Sequence, residues 1–287
     1  MKKLLSLYIW ASIGLLVLAW LPLLALVRLF DRDPAHYATG RVFRKVGDAI
    51  TRVNPLWNVE VDGTFPDNPR QPFVVVSNHQ SHADVPVISR LPWEMKWVAK
   101  AELFKIPVAG WLMRLAGDIA VDRNDSRSRV KVLIAAKQYL EDRCSVIFFP
   151  EGTRSRDGRV RSFQTGAFRL AIDAGVPILP LAVDGTRNAL PKYGWVFGPA
   201  IRARLRVLPP ISTDGLGRGD VDALAEQVRQ AIIAQIAAWR GVNPADVDAL
   251  AALSPKREIA VPLAEPSAGI KETSNLNGSV EPRSASM

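Results

Sequence analysis

From Leu4 to Val27 the chain carries no charged residue, and Leu, Ile, Val, Ala and Trp dominate the run. This exceeds the roughly 20 residues that a helix needs to cross the hydrocarbon core of a bilayer. The segment must therefore meet lipid or be buried inside a large core. A cleaved signal peptide has a shorter apolar region and an A-x-A-like cleavage site, and neither is clear here. Pro22 allows a kink or a shallow helical hairpin, so spanning and re-entrant geometries are both open. Lys2 and Lys3 precede the run, while Arg28, Arg32, Arg41 and Arg44 follow it. More cations on the C-terminal side favour a cytoplasmic domain held at the inner face of the cell membrane, integral or monotopic.

The chain has 287 residues, enough for one substantial α/β domain with extensions. A net charge of +9 implies an anionic partner, which charge alone leaves open among nucleic acid, acidic lipid and an acidic carrier. Cys144 is the single cysteine, so no intrachain disulfide forms; it reads as a reduced structural residue before an apolar run.

Residues 1–30 form the apolar anchor and 31–60 read as an amphipathic connector. Short apolar runs then mark strands at 73–76, 96–98, 119–121, 146–149 and 177–183. Helical patterns lie between them, at about 128–143 and 165–174, the second ending at Gly175. Arg202, Arg204 and Arg206 alternate with apolar residues and predict a strand with a basic outer side; a last helix is expected from about 221 to 239. Strands alternating with helices specify an α/β fold with a mixed, largely parallel sheet flanked by helices. The folded domain is placed at 31–245. Residues 254–287, rich in Ser, Pro, Glu and Asn, are expected to be a disordered tail.

Polar residues crowd the ends of three strands. Asn78-His79-Gln80-Ser81-His82-Ala83-Asp84 follows a buried strand, where parallel α/β sheets place their sites. A separation of five residues puts two side chains about 140° apart on a helix, so His79 belongs on the loop and Asp84 at a helix start. An imidazole oriented by a carboxylate is a better base, and with no Ser or Cys in the constellation the nucleophile would be a substrate hydroxyl. A histidine satisfied in a loop turn, or a metal site with His79, His82 and Asp84, are the competing readings; no further ligand completes the latter. Phe149-Pro150-Glu151-Gly152-Thr153-Arg154 offers close backbone approach at Gly152 and a phosphate-fitting fork at Arg154, or simply a surface ion pair. Gly117 to Arg123 and Val176 to Pro180 read, on their own, as a turn with an Asp–Arg pair and a strand entrance.

In this order the four segments resemble the four motif blocks of the glycerolipid acyltransferase family, whose best-known members acylate lysophosphatidate (1-acylglycerol-3-phosphate). The likeness covers about residues 70–185 and extends to Lys100-Ala101-Glu102-Leu103 with Pro107-x2-Gly110. It implies an acyltransferase domain over 31–245 that moves a fatty acyl group from acyl-CoA or acyl-ACP to the sn-2 hydroxyl of lysophosphatidate, making phosphatidate. It implies no metal, no bound cofactor and no acyl-enzyme: the thioester is a co-substrate. His79 would be the base and Asp84 its partner. Glu151, Gly152, Thr153 and Arg154 would bind the acceptor, with Gly117, Arg123 and Lys100. Phe163-Gln164-Thr165-Gly166 departs from the family's Phe-Lys-x-Gly pattern, removing a cation that Arg159 or Arg161 would replace, or pointing to another lysolipid such as a lyso-ornithine lipid.

Three other classes are weaker. A lipid-binding scaffold has no need of His79, Asp84, Glu151 and Arg154 together. A nucleic-acid binder would leave the apolar segment without a role. A hydrolase would put water where the lipid hydroxyl stands.

Overall fold

The computed structural model describes residues 2–190 and 194–251; the expected disordered tail, 254–287, lies outside them. Helix α1 (Lys2–Phe30) is one continuous helix through Pro22, so the hairpin alternative is not adopted. It is long and apolar enough to cross a membrane by length and composition. Residues 31–60, expected to be a connector, instead hold helix α2 (Tyr37–Val53) and most of strand β1 (Trp57–Gly63).

The remaining strands are β2 (Val74–Ser77), β3 (Met95–Lys100), β4 (Ile119–Val121), β5 (Ser145–Phe148), β6 (Ile178–Asp184) and β7 (Ile201–Val207). They form one sheet in the order β1-β7-β6-β2-β5-β3-β4. All neighbours run parallel except β6 and β7. The expected mixed, largely parallel sheet is therefore present. Strand β2 lies at its centre with all four residues buried, as a β-branched run covered on both faces requires.

Helices α5 (Ser126–Glu141), α6 (Gly166–Ala174) and α7 (Val221–Arg240) close a core over one face, built on Val74, Val76 and Val146 of the strands. The opposite face packs Val75, Ile147 and Leu179 against α3 (Asp84–Ile88) and its surroundings. Helix α4 (Ala109–Leu115) leads into β4. The basic outer side of β7 is not left free: Arg202 and Arg206 pair with Glu60 and Asp62 of β1 at 2.6 Å each, and Arg204 and Arg206 lie over the Trp239 ring. Cys144 is buried, and burial pushes its thiol up to about 12, consistent with an inert structural residue.

Helix α2 is pinned to the sheet by buried charges. Arg44 reaches both Asp118 and Glu94. Lys96 Nζ donates to Glu94 Oε1 at 3.1 Å and to the Ala116 carbonyl at 2.7 Å. Glu94 and Lys96 are fully buried, and charges so placed persist only when paired. Gly40 makes the close approach possible: a Cβ there would fall 2.0 Å from Glu94 Oε1. Gly40→Ala should therefore destabilise the chain by about 1–3 kcal/mol despite its better helix propensity, read as a lower melting temperature than the native chain's.

Candidate active site

The site is built where β2 ends. Asn78 prolongs the ladder with its side chain: Nδ2 donates to the Val183 carbonyl and Oδ1 accepts from Val183 N, both at 2.9 Å. Gln80 Nε2 donates to Asp184 Oδ1 at 3.2 Å, and Asp184 is itself held by Arg240. One side of the loop is thus fastened to β6.

The other side is fastened to the loop after β5. His79 N donates to Glu151 Oε1 at 2.7 Å, and the His79 carbonyl accepts from Ser155 N at 2.8 Å. Glu151 Oε2 accepts from Arg161 N at 3.1 Å, and the Arg161 carbonyl is bonded by the buried Arg229 guanidinium. Both backbone groups of His79 are therefore fixed by residues more than 70 positions along the chain. Burial raises the Glu151 carboxyl to about 7, against the pull of the two N–H groups. Glu151, expected to bind the acceptor, accepts from the backbone of the His79 loop through Oε1 and from Arg161 N through Oε2.

Within this frame His79 Nδ1 lies 2.7 Å from Asp84 Oδ2. Asp84 opens α3, as the five-residue spacing required. Its Oδ2 also accepts from Gln80 N at 2.7 Å and Ser81 N at 2.9 Å, and its Oδ1 from the Thr186 hydroxyl. Three donors meet Oδ2 and one meets Oδ1, so the fully buried Asp84 is held through both oxygens. An ionised carboxylate only accepts, so His79 Nδ1 carries the proton and Nε2 presents a lone pair. The ring stacks on Phe149, centroids 4.1 Å apart at 23°, which removes its freedom to turn. Thr186 is a member of the site that no sequence pattern marks: it lies outside the four motif segments, 102 residues from Asp84.

The other expected residues divide. Arg123 bonds the Gly152 carbonyl, joining the second and third segments at the C-terminal edge of the sheet. Gly152 has φ +70°, and a Cβ there would lie 2.6 Å from Gln164 Nε2. Arg154 is half-buried and has no ion-pair partner among the described residues. Desolvation first, and then its charge, lower the pKa of His82, so that ring is neutral at pH 7. Thr153 is exposed. Gly117 is not brought to the base: it precedes β4, at the opposite edge from Arg123, with a left-handed φ of +77° beside Tyr139. Lys100 ends β3, pairs with Glu102 at 3.0 Å and is exposed.

Two cavities lie near the base, one lined by its stacking partner Phe149 and the other by His82. One, of 340 Å³, is walled by Phe149, Phe148, Val98 and Leu133, with Arg123, Arg129 and Gln164 among its polar members. The other, of 320 Å³, lies on the opposite face of the sheet, since it takes Trp97 and Ala99 where the first takes Val98. It is enclosed by α1 through Val17, by α2 through Phe43, Val46 and Ile50, and by α4, with His82 at its wall.

A family model described as Acyltransferase matches residues 58–184. The 1-acyl-sn-glycerol-3-phosphate acyltransferase of Escherichia coli (strain K12) is 32% identical over 210 residues, which is 72% of this chain and 82% of that protein. The chain belongs to the 1-acyl-sn-glycerol-3-phosphate acyltransferase family. The family's alpha member from Mus musculus is 40% identical over 177 residues, 61% of this chain and 62% of that protein. The chloroplastic LPAT1 of Arabidopsis thaliana is 36% identical over 169 residues, 58% of this chain and 46% of that protein. The chain thus spans less than two thirds of these two relatives. Among solved structures, the family's PlsC from Thermotoga maritima superposes with a TM-score of 0.68 at 28% identity, covering 83% of this chain and 98% of that one.

The fourfold engagement of Asp84 sets a graded expectation. Asp84→Asn should lower kcat by on the order of 10²–10⁴, because an amide can leave Nδ1 unprotonated and the ring in the wrong tautomer. Thr186→Val should lower kcat roughly tenfold, while Thr186→Ser retains most of it. Steady-state kinetics on the three variants, each checked for a native melting curve, measure this.

Proposed function

We propose that the chain is a 1-acylglycerol-3-phosphate O-acyltransferase that moves a fatty acyl group from acyl-CoA or acyl-ACP to the sn-2 hydroxyl of lysophosphatidate, making phosphatidate. The observation that carries this reading is a base without a protein nucleophile: His79 Nε2 is left free to accept a proton while Nδ1 is bound to the buried Asp84. The names of the relatives supply the substrates in the reading.

In the proposed reaction Nε2 accepts the sn-2 hydroxyl proton as that oxygen attacks the thioester carbonyl carbon. Asp84 stabilises the imidazolium that forms. The tetrahedral intermediate expels the thiolate as the C–S bond breaks, and the imidazolium returns the proton to sulfur. Protons and charge balance without a metal or bound cofactor; the thioester is a co-substrate. The apolar cavity beside α1 and α2 is the natural place for a fatty chain.

A membrane position follows from α1. At 1.5 Å per residue a 29-residue helix is about 43 Å long. It touches the domain at several points along its length: Phe197 N donates to Ser6 Oγ at 3.0 Å, Trp10 Nε1 to the Trp195 carbonyl at 2.7 Å and Trp20 Nε1 to the Val42 carbonyl at 2.9 Å. A helix tied along its length to a polar domain cannot cross a ~30 Å hydrocarbon core without drawing that domain in. Exposed Leu4, Leu7, Leu15, Leu18, Leu26 and Phe30 would instead enter one leaflet. We place this monotopic contact on the cytoplasmic face, where the cations following α1 meet anionic lipid and the donors are found.

Thiol release from an acyl thioester by the purified chain tests the reading. Release that depends on lysophosphatidate, with phosphatidate as product, is the expected result. Release with another lysolipid only would overturn the acceptor and keep the reaction class; release with no acceptor at all would indicate hydrolysis.

A further inference from the structure

Arg229 is the largest fully buried side chain among the described residues, and the reaction above gives it no role. It belongs to α7, beyond the four motif segments, and lines neither of the two cavities. Its Nε donates to the Arg161 carbonyl at 3.0 Å and its Nη1 to Glu226 Oε1 at 2.8 Å. Its Nη2 meets Asp248 Oδ1 and, at 3.5 Å, the Val160 carbonyl. A buried ion pair is no firmer than well-packed apolar side chains of the same volume. Stability alone therefore does not account for a guanidinium in this place.

What Arg229 holds is the segment that grips the base. At one end of that segment Ser155 N donates to the His79 carbonyl at 2.8 Å. At the other, Arg161 N donates to Glu151 Oε2 at 3.1 Å, while Glu151 Oε1 accepts from His79 N at 2.7 Å. Between the two ends the chain forms neither helix nor named strand, so the restraint comes from outside it. Val160 N donates to the Val247 carbonyl at 2.8 Å, and Ala249 N donates to the Val160 carbonyl at 3.1 Å. Arg229 takes the next carbonyl, that of Arg161, and pairs with Asp248, which stands between Val247 and Ala249. Arg229 is thus three hydrogen bonds from the base: to Arg161, from Arg161 to Glu151, and from Glu151 to His79.

Glu151 is sensitive to the middle bond. Burial raises its carboxyl to about 7, the His79 and Arg161 N–H groups pull it down, and the charges of Asp84 and Arg161 push it up and down respectively. Only the ionised form accepts at both oxygens without donating; protonation turns one of them into a donor. Slackening the Arg161 N–H therefore favours the protonated form, and the harm to the His79 loop grows as pH falls.

We propose that Arg229 is a positioning residue for the base: through the Arg161 backbone and Glu151 it holds the His79 backbone beside Asp84. The proposal rests on His79 acting as the base in acyl transfer to a lysolipid.

The test measures kcat and KM of the full detergent-solubilised chain with lysophosphatidate and an acyl thioester from about pH 6 to about pH 9, on either side of the Glu151 value. The double variant Arg229→Met with Asp248→Leu removes the ion pair and keeps the volume, so its melting temperature should stay close to the native one. Its kcat should fall roughly three- to tenfold near neutral pH, with both KM values within about twofold of native. The deficit should deepen towards the acid end and shrink towards the alkaline end. Arg229→Lys, which keeps a donor for the Arg161 carbonyl, should recover most of kcat. A native kcat in the folded double variant, a deficit that does not vary with pH, or a loss confined to KM overturns the proposal and leaves the acceptor reading standing. Should the double variant fail to fold, Asp248→Asn, which keeps the packing and slackens the guanidinium, should show the same pH-dependent deficit at smaller size; a flat ratio there is equally contradictory. If the native chain transfers only to another lysolipid, the lysophosphatidate reading falls and the same comparison with that acceptor decides the proposal. No transfer to any lysolipid overturns both.

Discussion

A fully buried carboxylate at the end of the central strand governs the arrangement of this domain. A carboxyl group in that place is tolerable only when it is hydrogen-bonded. The chain supplies four donors: two backbone N–H groups of its own tight turn and the imidazole of His79 at Oδ2, and one hydroxyl from beyond β6 at Oδ1. The bond to the imidazole fixes the tautomer and leaves the opposite nitrogen to act as a base. Structural satisfaction and chemical readiness are therefore the same set of bonds. The loop after β5 completes the constraint by gripping His79 through its backbone on both sides.

The parallel sheet turns this local geometry into a site with two sides. Successive residues of β3 face opposite cavities, an apolar chamber beside α1 and α2 and a basic chamber beside α5 and α6, the second walled by the Phe149 ring that stacks on His79. In the proposed reaction the two chambers would give the lipid and the thioester separate approaches. The buried Arg44, Glu94, Lys96 and Asp118 group holds α2 against the sheet and so keeps the apolar chamber's wall in place.

Much of the fold is legible in the sequence because its central strands are unbroken apolar runs, which few other structures accommodate. The expected helix over 128–143 appears as α5, starting slightly earlier where Asp125 caps it with bonds to Arg127 N and Ser128 N. Strand β1 carries the same local signal as β7, with Trp57, Val59 and Val61 alternating with Asn58, Glu60 and Asp62, and the connector expected over 31–60 overlooks it; only its pairing with β7, about 142 positions away, leaves no local trace. His79 and Asp84 are legible by type and spacing. Thr186 is not, since a hydroxyl in a distant loop has no pattern to mark it. Glu151 stands out in the sequence, but its partners do not: burial and the backbone of the His79 loop, neither visible in a linear chain, decide where its carboxylate points. The same limit explains Gly117, a neighbour of Arg123 in sequence that the short β4 carries to the other edge of the sheet.

The central claim is that His79 removes the proton from the attacking hydroxyl. The most direct measurement is phosphatidate formation from lysophosphatidate and an acyl thioester by His79→Ala, in a preparation whose melting curve matches the native chain's. Loss of general-base catalysis predicts a fall in kcat of roughly 10²–10⁴. Turnover within a few-fold of native would contradict the mechanism and require another group to take the proton.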